Sequence, residues 1–294
     1  MKSKKTILTI IFSILGVFAL GIVGGGIFLA IKIYNDNQEE APTDYKDSDF
    51  EDDNDALYAR YLASHDGDLT KQYKTYELAN ISIYKFKEHN YYYSKTYGLA
   101  TSFGIDQTIR ASVIKNNDSY FMENLSSGLV KTAKRFYQSN QTVSTHDGKI
   151  ETSEKALWDE EPLSKLSLEE HEAQWGKELS RPLIYIISSK TVLETSTSES
   201  TENGYVVHLD LHTEFSTLRY KRQIVSISSV KKPTFKSVHL DLTMDKDMNL
   251  TKMDISEDYS VVMILETGVS ATYSEYYTYD KELAIPDLKT DIEY

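Results

Sequence analysis

A predominantly apolar run without a charged residue over residues 7–30, prolonged by Ile31 and Ile33 around Lys32, constrains this chain more than any other feature. A helix needs about 20 apolar residues to cross the hydrocarbon core of a bilayer, and this run meets that length with some tilt to spare. A cleavable signal peptide has a shorter apolar region, about 7–15 residues, ending in small residues at the cleavage site. Here the residues before Ile31 are Phe28, Leu29 and Ala30, so that ending is missing. Lys2, Lys4 and Lys5 precede the run and acidic residues follow it, which by the positive-inside rule predicts a cytoplasmic N-terminus and an extracellular C-terminal part. The sequence therefore divides into a basic tail at 1–6, a single-pass membrane helix at 7–33, an acidic flexible linker at 34–56 and a folded domain at 57–294. Gly21 and Gly25 form a small-xxx-small pair inside the span, the pattern through which membrane helices associate.

The chain has no cysteine, which excludes disulfides, thiol chemistry and a lipid-modified N-terminal cysteine. The exported part must be held by its core alone, which its length allows. A net charge of −13 argues against nucleic acid, which needs a basic footprint, and against a domain lying flat on anionic lipid. The Lys-, Asn-, Ile- and Tyr-rich composition resembles that of Gram-positive exported proteins. Tyrosine is abundant, at 22 residues against 10 Phe and 2 Trp, and a Tyr-rich chain leans towards strands.

Between residues 35 and 55 acidic residues dominate and large apolar ones are nearly absent, which predicts a solvated tether. Helical spacing begins at Leu57, Tyr58, Tyr61 and Leu62, and Asp68 has the character of an N-cap for a second helix reaching Phe86. From residue 91 the pattern is that of strands, with turns near Gly104, at Asn116-Asn117-Asp118 and at His146-Asp147-Gly148. Ser167 and Glu170 have capping-box spacing for a short helix. Residues 195–203 read as a polar loop, 204–212 as a strand and 218–225 as an amphipathic helix. The last third reads as a meander with turns at 245–249 and Gly268, ending in a frayed tail after Pro286. The fold class is α+β: a curved antiparallel sheet with helices on one face.

The nearest internal echo is Val207-His208-Leu209-Asp210-Leu211 against Val238-His239-Leu240-Asp241-Leu242. Alternation puts His208, Asp210 and His212 on one sheet face, and His239 and Asp241 join them if the two strands are neighbours. Imidazoles beside carboxylates are the ingredients of a transition-metal site. The same pattern also suits a solvated face with cross-strand pairs. It lacks the tight ligand spacing of known metal motifs, so no metal or other cofactor is assigned. Asp245-x-Asp247-x-Asn249 resembles the opening of a calcium loop, but Leu250 and Ser256 stand where that loop needs Gly and Glu, leaving a polar turn. The tyrosines at 91–93, 97, 273, 276, 277 and 279 suit either a glycan platform or cross-strand packing. Gly-x-Ser-x-Gly, phosphate-loop and His-Glu-x-x-His motifs are absent, so an enzyme is not expected.

The helix over 68–86, the hairpins over 91–124, the helix over 217–225 feeding Pro233-Thr234-Phe235, and the closing run from Leu242 through Tyr259 to Tyr279 resemble the element order of the LolA/LppX/RseB-type exported half-barrels. The resemblance rests on architecture and on no diagnostic motif. It implies a half-barrel with an apolar cavity between sheet and helices, which holds acyl chains or senses a lipoprotein. Combined with the membrane helix, it implies a tethered binding or sensor protein for a lipid-like ligand or a protein partner. A structural subunit of an envelope assembly, such as a conjugation or secretion apparatus, is the alternative reading. A wall-polymer hydrolase, supported only by location and abundant carboxylates, is the third.

Overall fold

The computed structural model describes residues 45–64, 66–128, 131–175, 182–227, 231–262 and 266–292. The expected tail, membrane helix with Gly21 and Gly25, and first half of the linker lie outside these residues. Within them no helix is long and apolar enough to cross a membrane.

A 3-10 turn at Asp47–Asp49 precedes α1 (Asn54–Ala63) and α2 (Thr75–Phe86). Six strands follow: β1 (Tyr91–Ser102), β2 (Ile105–Asn116), β3 (Ser119–Ser127), β4 (Thr132–Ser139), β5 (Thr142–Thr152) and β6 (Lys155–Trp158). Next come β7 (Ser164–Ser167), α3 (Leu168–Trp175), β8 (Thr197–Thr201), β9 (Gly204–Asp210), α4 (Thr213–Ser216) and α5 (Leu218–Ile227). The chain closes with β10 (Lys231–Asp245), β11 (Leu250–Val262) and β12 (Glu266–Tyr279).

All strands belong to one open, 12-stranded antiparallel sheet, in the order β6-β5-β4-β3-β2-β1-β12-β11-β10-β9-β8, with β7 paired to β5. Two meanders, β1–β6 and β8–β12, thus join through the β1–β12 pair, where Tyr92 meets Tyr279 and Ala100 meets Ala271. Phe103 and Gly104 between β1 and β2, and Asn140 and Gln141 between β4 and β5, all take positive φ. These are two-residue hairpin loops whose twist matches that of the strands they join.

The inner face of the sheet carries Val207, Leu209, Leu240, Leu242, Met253, Ile255 and Tyr273, and the helices cover it. From α2, Leu78, Ala79, Ile81 and Phe86 are at most 2% exposed, and the Phe86 ring packs on Tyr92 and Tyr277 at centroid distances of 4.6 and 5.4 Å. From α5, Tyr220 packs on Phe235. Each such side chain contributes about 1.5–3 kcal/mol through burial, so the sheet–helix interface is a filled core.

The outer face has two halves. Over β2–β6 it is apolar: Ile114, Phe121, Leu125, Ala133, Ile150 and Ala156 are buried, with Trp158 against the last four. Arg135 and Glu123 form an ion pair at the centre of this half, 2.6 Å apart and 1% and 3% exposed. The C-terminal segment crosses it: Arg135 donates to the carbonyls of Leu288 and Thr290 at 2.8 and 2.7 Å, and Asn116 donates to that of Leu283. The tail expected to fray is instead an ordered strap, because it supplies acceptors that a buried guanidinium needs.

Four further expectations are corrected. The acidic stretch does not remain a tether over residues 45–53. Arg219 pairs with Asp47 and Glu51, Arg222 pairs with Asp47, and Phe50 stacks on Phe215 at 4.4 Å. Asp68 caps only the 3-10 turn Leu69–Lys71, and the helix proper starts at Thr75 with Glu77 closing its first turn back onto Lys74 N–H. His146-Asp147-Gly148 is not a turn but part of β5. Gly148 lies opposite Trp158, and a Cβ there would sit 2.7 Å from the indole ring, so the glycine serves close packing. The capping box at Ser167 and Glu170 is formed as expected, and residues 197–201, read as loop, make edge strand β8.

Candidate functional site

Among the described residues none covers the other half of the outer face, over β9–β12 and β1, and the His/Asp echo lies on it. Strands β9 and β10 are antiparallel neighbours with His208 opposite Asp241 and Asp210 opposite His239. Because the strands run in opposite directions, the repeated His-x-Asp pairs each histidine with an aspartate across the ladder. His208 Nδ1 lies 2.6 Å from Asp241 Oδ1, His239 Nε2 3.0 Å from the same oxygen, and His239 Nδ1 2.9 Å from Asp210 Oδ1. Thr195 Oγ1 donates to Asp210 Oδ2 at 2.7 Å. The four side chains of this cluster are 34–43% exposed.

Both ring nitrogens of His239 face carboxylates. Burial works against its charged form, but hydrogen bonding to Asp210 and the charges of both aspartates outweigh it, so its pKa rises above the ordinary imidazole value. The Asp210 carboxyl is held below the usual range by the Thr195 hydroxyl and by His239. His208, His239 and Asp241 each present a possible ligand atom within 4.8 Å of the others.

His212 does not join them. The chain leaves the β9 ladder at Leu211, His212 N–H donates to Thr191 O, and its ring stacks on Phe215 at 4.8 Å. Asp245 receives the N–H groups of Asp247 and Asn249 on Oδ1, so the calcium-like stretch is a closed hairpin turn.

Beside the His/Asp cluster runs a groove of about 380 Å³ across β1, β12, β11 and β10. His239, Asp241 and Asp254 stand along one side, Tyr97 and Leu99 along the other, and Ser256, Thr272 and Ser274 between. Leu99 is 42% and Tyr276 46% exposed. Tyr97 is held by Tyr276 at a centroid distance of 6.4 Å and by the Arg110 guanidinium at 5.4 Å. The aromatic strands therefore split by alternation: Tyr92, Tyr273 and Tyr277 pack inward, whereas Tyr97 and Tyr276 face the groove side.

One group was missed in the sequence. Glu257 on β11 points inward, 1% exposed, and accepts hydrogen bonds from the Tyr185, Tyr220 and Tyr273 hydroxyls, the last two at 3.2 Å. Burial pushes its carboxyl up to about 7 against the opposing pull of the three tyrosines. The signal was present in the alternation Ile255-Ser256-Glu257-Asp258-Tyr259, which puts Glu257 on the apolar face. It lies within the packed core, away from the groove face.

No family model matches this chain, and no curated protein does. Among solved structures, a DUF1329 family protein from Desulfovibrio piger is similar at 12% identity, with 74% of this chain and 96% of that chain covered and a TM-score of 0.28. A likeness that slight decides nothing about ligand or activity.

Proposed function

We propose that this chain is a membrane-tethered extracytoplasmic binding protein that takes a small amphipathic ligand in the groove on the open half of its outer sheet face. The observation that carries this reading is the groove itself. An apolar edge of Tyr97 and Leu99 faces a polar edge of His239, Asp241 and Asp254 across about 380 Å³, within the ordinary size range for small-molecule sites. The acyl-chain cavity implied by the half-barrel resemblance has no support from the helix side, where α2 and α5 fill the interface with buried side chains. A second hollow there, of about 310 Å³, is lined by Glu51, Asp52, Asp55, Lys87 and Arg219 among others. So many ionisable groups make it a poor host for a hydrocarbon chain. The absence of recognised catalytic motifs from the sequence favours binding over turnover. The apolar run at 7–33 would hold the domain outside the membrane.

The test is native mass spectrometry of the full-length chain released from mild detergent, followed by solvent extraction. A co-purifying amphipathic species in about one-to-one amount, lost in a Tyr97→Ala/Leu99→Ser variant, is expected. A ligand-free wild type, or a species retained by the variant, refutes the groove as its site.

A further inference from the structure

We propose that His208, His239 and Asp241 bind one divalent transition-metal ion of the zinc class on the open sheet face. Zinc holds nitrogen and oxygen ligands at about 2.0–2.1 Å in a tetrahedron, which sets neighbouring ligand atoms about 3.3 Å apart. The two imidazole nitrogens now lie 2.6 and 3.0 Å from Asp241 Oδ1. Widening these by a few tenths of an ångström to about 0.7 Å, within the reach of half-exposed side chains, opens the space for an ion. Strands β9 and β10 lie inside the sheet, flanked by β8 and β11, so their backbones are fixed by ladders on both sides.

The cluster also has the outer support that metal sites use. A ligating histidine usually gives its second ring N–H to a carboxylate, which fixes the tautomer and turns the other nitrogen to the metal. Asp210 does this at His239 Nδ1, leaving Nε2 towards Asp241, and Thr195 holds Asp210 in turn. A purely solvated face has no need of this second tier. Two imidazoles and one carboxylate suit zinc, copper or nickel, whereas calcium and magnesium prefer all-oxygen sets. Three protein ligands leave a fourth position for water or an exogenous donor. His239 and Asp241 also line the groove. The metal site requires no groove occupant, so it stands or falls separately from the proposed ligand.

The full-length chain, stripped by chelator, is titrated with Co²⁺ and followed by visible absorption, then back-titrated with Zn²⁺. One Co²⁺ per chain with the strong bands of a tetrahedral site, displaced by Zn²⁺, is expected. His208→Ala and Asp241→Asn should lose that spectrum, and Asp210→Asn should keep it with affinity weakened by about 10–100-fold. His239→Gln, which retains a hydrogen-bonding side chain, tests the second imidazole should an alanine variant misfold. Thermal unfolding of the metal-free forms identifies any such variant. Asp254→Asn, on the same face outside the cluster, should bind as wild type, as should the Tyr97→Ala/Leu99→Ser variant. Absence of the cobalt spectrum in wild type, or its survival in both His208→Ala and His239→Gln, overturns the assignment.

Discussion

Replacing Glu257 by glutamine should flatten the pH dependence of folding. In the unfolded chain this carboxyl titrates near 4.5, and in the folded core burial holds it near 7. Between those values the folded protein keeps a proton that the unfolded chain has released. Stability from this group is therefore complete below the unfolded pKa and falls as pH rises through the folded one. Each pH unit in the window is worth about 1.4 kcal/mol, so the whole loss is about 3 kcal/mol between pH 4.5 and 7, and constant above. Glutamine is nearly isosteric, still accepts from the tyrosine hydroxyls through Oε1, and its amide can donate to a hydroxyl oxygen whose own proton rotates away. Urea denaturation of wild type and Glu257→Gln at pH 5, 6, 7 and 8 reads the effect. With a urea slope of about 2–3 kcal/mol per M for a domain of this size, the difference between the two midpoints should change by about 1 M across the series. The variant should gain relative to wild type as pH rises. His239, whose pKa is also raised, loses stabilisation in the same direction in both proteins, so it cancels in the difference. Parallel midpoint curves would refute the claim that a buried, protonated Glu257 is part of the core.

Arg135→Met removes the guanidinium that pairs with the buried Glu123 carboxylate and should destabilise the fold by about 3–5 kcal/mol, measured by urea midpoint. Truncation after Pro286 removes the strap carbonyls that Arg135 uses and should lower stability in the same way, though by less. Arg219→Ala removes one of the two guanidinium groups on Asp47 and the one paired with Glu51, and should make residues 45–53 the first site of limited proteolysis, with the core melting temperature changed by only a few degrees. Unchanged cleavage would mean that Arg222 on Asp47, Ser189 on Asp52 and Phe50 on Phe215 suffice to hold the segment.

What the sequence disclosed tracks the range of the interactions involved. The alternation in 204–212 and 238–242 is local: it sets His208, Asp210 and His212 on one face of the first strand and His239 and Asp241 on one face of the second, and it joins the two sets only if the strands are neighbours. Their actual contacts depended on β9 and β10 being antiparallel neighbours, which alternation does not encode. Residues 45–53 and the C-terminal strap were misread for the opposite reason. Each is polar in itself, and each is ordered by cations far away in the chain: Asp47 by Arg219, 172 residues on, and the strap by Arg135. Gly148 misled because a glycine between polar residues reads as a turn, whereas here it admits an indole ring from the next strand.

The two halves of the outer face differ in what the chain does with them, and that difference bears on function. Over β2–β6 the strands present apolar residues, and residues 283–292 are laid across them, with the Leu283, Leu288 and Thr290 carbonyls accepting from Asn116 and Arg135. Fixing that backbone costs about 1–2 kcal/mol per residue, and the bonds that the segment's carbonyls make to the buried Arg135 and to Asn116 work against that cost. Over β9–β12 and β1 no segment among the described residues is laid down, and the strands present serine, threonine, histidine and aspartate beside Tyr97, Leu99 and Tyr276. Exposed ion pairs contribute at most about 1 kcal/mol to folding, and most polar surface side chains remain free to move. Yet here both nitrogens of His239 and both carboxylate oxygens of Asp210 are engaged, and the lattice extends to Thr195 and His208. Such ordering contributes little to stability at a surface. It is the preorganisation that a binding site needs, since side chains already held in place lose less entropy when a ligand or an ion arrives.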